Sequence, residues 1–153
     1  MKAHLSLNIT LCAALLLVLY GCSGGQELSP EDQVKQVLSQ IEQGVEARSM
    51  SAVMDHISAD YRDHQGMTKE DLTRMVQMYF VRNQQINLFT RIRSIDISDG
   101  LASIELSAAM AAHGVNLSQD ANRIRADTHK FSVLLSDQNG TWVVSSVSWQ
   151  RGW

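Results

Sequence analysis

The sequence predicts an α+β domain, with three N-terminal helices packed on a curved antiparallel sheet of four long strands plus one short strand. Three observations predict it. Up to Phe80 the apolar residues recur every three or four positions, and from Leu88 onward they recur every second one. Two turn sequences, Ser98-Asp99-Gly100 and Asp137-Gln138-Asn139-Gly140, divide the second half into hairpins. Helices followed by a run of strands place the helices on one face of the sheet.

The first helix opens at Ser29-Pro30-Glu31-Asp32, with serine as N-cap, proline at the first helical position and acids in the first turn. Val34, Val37, Leu38, Ile41 and Val45 form its apolar stripe, and Gly44 and Arg48-Ser49 weaken and end it. A shorter helix over residues 51–57 is expected to bury Val53, Met54 and Ile57. Residues 58–64 read as the short strand, turned by Gln65-Gly66. Thr68-Lys69-Glu70-Asp71 caps a third helix with Leu72, Met75, Val76, Tyr79 and Phe80 as its buried stripe.

The long strands are expected over residues 88–97, 101–112, 126–136 and 141–150. On the second, Ala102, Ile104, Leu106, Ala108, Met110 and Ala112 share one face, with Ser103, Glu105 and Ser107 on the other. The third turns Phe131, Val133 and Leu135 inward. Trp142 and Trp149 differ by an odd number, so a regular fourth strand sends them to opposite faces. Residues 113–123 read as a polar loop.

The N-terminus follows a different logic. Lys2 gives a positive start, and Ile9 to Leu19 is nearly unbroken apolar sequence ending near a small residue, Gly21. The run is shorter than the roughly 20 apolar residues that cross a bilayer. Leu19-Tyr20-Gly21-Cys22, followed by Ser23-Gly24-Gly25, resembles a bacterial lipobox. The resemblance implies a signal peptide over 1–21, a Cys22 carrying diacylglycerol and palmitate with a flexible linker over 22–28, and a domain over 29–153. Each buried acyl CH₂ adds about 0.8 kcal/mol, so several chains hold a protein on one leaflet. Ser23 after the cysteine implies the inner leaflet of the outer membrane, facing the periplasm.

Composition narrows the function classes. The 153-residue chain carries a net charge of −3, and losing Lys2 makes it more negative, which argues against a nucleic-acid partner. Of the two cysteines, Cys12 lies in the signal and Cys22 takes the lipid, so thiol chemistry is excluded from the domain. His56, His64, His113 and His129 lack the close spacing of a metal site, and no Gly-rich phosphate loop or other cofactor motif occurs. Six methionines beyond the signal (Met50, Met54, Met67, Met75, Met78, Met110) suit an adaptable apolar interior.

The element order, Asp60-Tyr61-Arg62-Asp63 between the second and third helices, and Gly140-Thr141-Trp142-Val143-Val144 near the end together resemble the nuclear-transport-factor-2-like (NTF2-like) superfamily of cystatin-like cones, over roughly residues 29–153. Ketosteroid isomerases, scytalone dehydratases and SnoaL-like polyketide cyclases share that fold. The resemblance implies a pocket at the wide end of the cone, lined by the short strand, the third helix and the inward strand faces. Tyr61, His64, Tyr79, Ala108, Met110, Ala112 and Phe131 are its expected lining, near Ala108 to Ala112 and opposite Tyr61 and the third helix. Asp127 or His129 is expected at the rim.

Two functional classes follow. One is a module that binds a small apolar ligand or a periplasmic protein partner, with the sheet face free to pair two copies. The other is a cyclase or isomerase using general acid–base catalysis, with Asp63, Asp127 and His129 as the acid–base residues. Asp127 and His129 share a strand face, so either they exchange protons in an apolar cavity, or Asp127 is neutralised by Arg91, Arg93, Arg123 or Arg125 while His129 meets solvent at the sheet end. The inward positions of the second strand offer no buried acid, which an isomerase oxyanion site needs.

Cys22→Ser is expected to abolish acylation and to release the domain or leave it held by an uncleaved signal. Membrane fractionation and the mass of the mature chain check this. A variant of wild-type size and distribution refutes the lipobox.

Overall fold

The computed structural model describes residues 28–111 and 128–151. The signal segment, Cys22, nearly all of the linker, Ala112, the 113–123 loop and Asp127 lie outside the described residues.

Helix α1, Pro30–Glu46, starts as its sequence dictates: the Ser29 side chain accepts from the Asp32 amide at 3.1 Å, with Pro30 in the first turn. Helix α2, Met50–Met54, is shorter than the period suggested, but Val53, Met54 and Ile57 are all buried. The two helices meet at Gly44. A Cβ there would stand 3.0 Å from Val53 Cγ2 and 3.2 Å from the Ala52 carbonyl carbon, so only glycine allows this approach.

Helix α3, Lys69–Arg82, has a full capping box between Thr68 and Asp71. It packs on α2, with Thr73 Oγ1 donating to Met54 Sδ and Lys69 Nζ to the Ile57 carbonyl. Its expected stripe is only partly realised. Phe80 is buried and Leu72, Val76 and Tyr79 are half-buried, whereas Met75 is 47% exposed. The helix leans on its neighbour through a narrow strip, which leaves Met75 on the outer side.

Four strands are described: β1 (Asn87–Ser98), β2 (Leu101–Ala111), β3 (His129–Asp137) and β4 (Trp142–Arg151). They form one antiparallel sheet in the order β1-β2-β3-β4. Asp99 (φ 51) and Gly100 (φ 72) make the left-handed pair that a two-residue hairpin requires. Asn139 and Gly140 serve the second hairpin, where the Gly140 amide donates to Asp137 Oδ1 at 2.6 Å.

Two residues are unmatched in the ladders: Arg93 in β1 and Ser145 in β4. Each is a one-residue bulge, and each reverses the side-chain alternation beyond it. In β1 the concave face therefore takes Leu88, Thr90 and Ile92, then Ile95 and Ile97. In β4 it takes Trp142 and Val144, then Val147 and Trp149. The two tryptophans thus share the helix-facing side, against the opposite-face expectation from a regular strand.

The short strand over 58–64 is also not formed. Ser58 Oγ accepts from the Asp60 amide, and the Tyr61 amide bonds the Ser58 carbonyl, so the chain turns on itself. What remains is a segment laid along β4. It is held by single bonds from the amides of Ser58, Arg62 and His64 to the carbonyls of Val144, Ser145 and Val147.

The core fills the space between this concave face and the helices, with Val34, Ile104 and Leu135 fully buried at its centre. Trp142 belongs to it at 6% exposure, while Trp149 is half-buried beside His64. Trp142→Ala is expected to cost about 3–5 kcal/mol and Trp149→Ala less, though measurably, since both face inward. Urea unfolding of the two variants checks this. A wholly neutral Trp149→Ala would mean that the Ser145 bulge does not hold.

Candidate functional site

Helix α1 does not cover the concave face completely. It crosses from the turn end of the sheet, where Val37 neighbours Trp142, to the start of β1. There two of its carboxylates fasten the edge strand. Glu46 Oε1 accepts from the Leu88 amide at 2.9 Å, and Glu42 Oε2 from Thr90 Oγ1 at 2.8 Å.

Beside α1 lies a half-open groove of about 340 Å³. Leu38 and Ile41 form its helical wall, and Leu88, Ile92, Leu106, Ala108, Met110, Phe131, Val133, Val144 and Val147 its floor. Ala108 is 9% exposed and Met110 44%, so the small residue lies deep and the methionine at the mouth. Polar groups are confined to Lys35, Ser39, Glu42 and Thr90. Lys35 pairs with Glu31 at 2.6 Å, and that hydrogen bond raises the ammonium pKa.

The structure brings Ala108, Met110 and Phe131 together in this groove. His129 stands opposite Ala108 in the ladder, with its ring 6.3 Å from that of Phe131. Tyr61, His64 and Tyr79 are not among the groove's lining residues. Tyr61 is in the core at 2% exposure, and the His64 ring meets the Trp149 ring edge-on at 4.4 Å. The groove is walled by α1 rather than by the third helix. Leu38 and Ile41 carry that wall. Their apolar stripe is visible in the sequence, but nothing there tells which part of it stays uncovered.

Asp63 is 7% exposed and organises its own loop: Oδ1 accepts from the amides of Gln65 and Met67, both at 2.8 Å. Its Oδ2 is buried without a hydrogen-bond partner. Tyr61 feels this carboxylate. Burial first, and the Asp63 charge second, push its phenol up to about 12. Burial also raises the Tyr79 phenol. Among the described residues no three His, Cys, Asp or Glu side chains gather as a metal site. No described helix is long and apolar enough to cross a membrane.

No protein-family description matches the chain, and no curated protein matches it. Solved structures do. Bd1075 of Bdellovibrio bacteriovorus superposes with a TM-score of 0.65 at 7% identity, over 78% of this chain and 40% of its own length. A cystatin-like-fold protein of unknown function from Nostoc punctiforme gives 0.62 at 13% identity, over 81% of this chain and 93% of that one. An NTF2-like protein of unknown function from Shewanella oneidensis gives 0.59 at 14% identity, over 79% and 98%. The fold is therefore that of the NTF2-like, cystatin-like cones.

The raised Tyr61 phenol has a pH signature. A folded-state pKa near 12 against an ordinary 10.0 means that the neutral phenol's contribution is complete below pH 10 and is lost as pH rises toward 12. Wild type is expected to lose stability in that window, and Tyr61→Phe to lose less. Urea midpoints on either side of pH 10 check it.

Proposed function

We propose that this chain is a lipid-anchored cell-envelope protein whose NTF2-like domain binds a small apolar ligand in the concave groove. The groove itself carries the reading. An apolar floor with a few polar groups along one rim is how proteins take small hydrophobic molecules. Its volume of about 340 Å³ is within the range of such sites. The anchor rests on the lipobox at Cys22, and Ser23 favours the inner leaflet of the outer membrane, with the domain in the periplasm. A ligand reaching the groove in that setting partitions from or toward membrane lipid.

One observation favours a second reading, acid–base catalysis on a small hydrophobic substrate. Asp63 holds a buried oxygen that nothing satisfies, close to Tyr61. A carboxylate oxygen left without a hydrogen bond can take a proton from a substrate that reaches it. Asp63→Asn separates the readings: a pure binding module keeps its affinity, and an enzyme loses turnover.

For the ligand reading, the test is direct binding of the fluorescent probe N-phenyl-1-naphthylamine. Wild type is expected to bind the probe, and Ala108→Trp to abolish binding while leaving the urea midpoint nearly unchanged, because the indole fills empty space. A loss of about 1–3 kcal/mol or more would instead identify Ala108 as tight packing and refute the groove as a ligand site.

A further inference from the structure

The sheet's other face carries a different chemistry. Arg91, Ser107 and Lys130 are successive partners across β1, β2 and β3, so their side chains stand side by side on the convex surface. Arg93 joins them because it is the bulged residue: its Nε–H donates to Ser107 Oγ at 2.9 Å. Ser107 is only 9% exposed, whereas the three cations around it are exposed.

Among the described residues the ion pairs are Lys35–Glu31 and Arg74–Asp71, so no described acid pairs with this cluster. Glu105 lies on the same face, opposite Ser94 and Ser132, one step along β2 from Ser107. It is not within ion-pair distance of the cluster. Three neighbouring like charges on a chain of net charge −3 repel one another unless an anion joins them.

We propose that Arg91, Arg93, Ser107 and Lys130 form a binding site for a phosphate group. The Arg93–Ser107 bond uses the Nε–H and fixes the plane of the guanidinium. Four N–H donors on the two terminal nitrogens are left to face outward. A fixed guanidinium fork matches two oxygens of a phosphate, and Arg91 and Lys130 supply charge on either side. Free phosphate and a phospholipid headgroup present this same chemistry.

The experiment uses the full chain in a non-ionic detergent. Inorganic phosphate is titrated in one arm, followed by calorimetry. Micelles doped with phosphatidylglycerol, against phosphatidylcholine, form the other. Binding is expected to weaken as salt rises. Arg91→Gln and Arg93→Gln should each weaken it about tenfold, the worth of one charged hydrogen bond. Arg93→Lys should not restore it, since lysine keeps the charge and loses the fork. Arg74→Gln, which removes a cation elsewhere, should change nothing. Tighter binding to phosphatidylglycerol than to phosphate supports the headgroup as the natural source, and binding of phosphate alone supports the free ion. If neither probe binds, or if both bind the Arg91→Gln/Arg93→Gln double variant as they bind wild type, the site does not exist.

Discussion

Two unmatched residues, Arg93 and Ser145, decide which side chains the sheet gives to its helices. A bulge adds a residue on one strand only, so it bends the strand and reverses its alternation. Without the Ser145 bulge, a strand that faces Trp142 and Val144 inward would turn Val147 and Trp149 outward. The groove floor would then lose Val147, and His64 would lose the ring it stands against. The same bulge frees the Ser145 carbonyl for the Arg62 amide, which is how the segment before α3 docks along β4. Curvature, groove and docked segment thus share one local cause.

Much of this architecture was legible in the chain. Capping residues at Ser29 and Thr68 and left-handed turn residues at Asp99-Gly100 and Asn139-Gly140 act through their nearest neighbours, so sequence reports them directly. The bulges are harder to see. Ile92 to Ile95 does carry a slip of phase, because both face the core across an odd interval. In β4 the adjacent Val143 and Val144 hide the slip, since either could be the inward residue. The failed short strand has a similar cause: one serine hydroxyl, satisfying an amide two residues on, outweighed a weak extended pattern.

The site was legible only in its floor. Ala108, Met110 and Phe131 follow from strand alternation, and the small Ala108 beside the flexible Met110 suggests space. Where the lid lies depends on the path of α1, which is set by long-range contacts. Gly44 lets α1 press onto α2, while Glu42 and Glu46 tie its far end to residues 48 and 42 positions away. None of these contacts has a periodic signature. Their joint effect is to hold α1 off the floor of the sheet along one side, which leaves the groove.

The order β1-β2-β3-β4 leaves two open margins, and each is closed to strangers in its own way. An unpaired strand invites another chain to extend the sheet, and such additions lead to aggregates. Along β4 the 57–64 segment occupies several backbone groups, including the carbonyls of Val144, Ser145 and Val147. Along β1 the protection is mixed. Glu46 takes the Leu88 amide, and the Arg93 bulge breaks the straight run of donors that a flat partner would need. Exposed Arg91 and Arg93 add charge where an incoming strand would lie. The kink that shapes the interior is therefore also a guard against sheet extension. Anchored on a membrane as proposed above, the chain would meet its own copies at high local density and would have particular need of one.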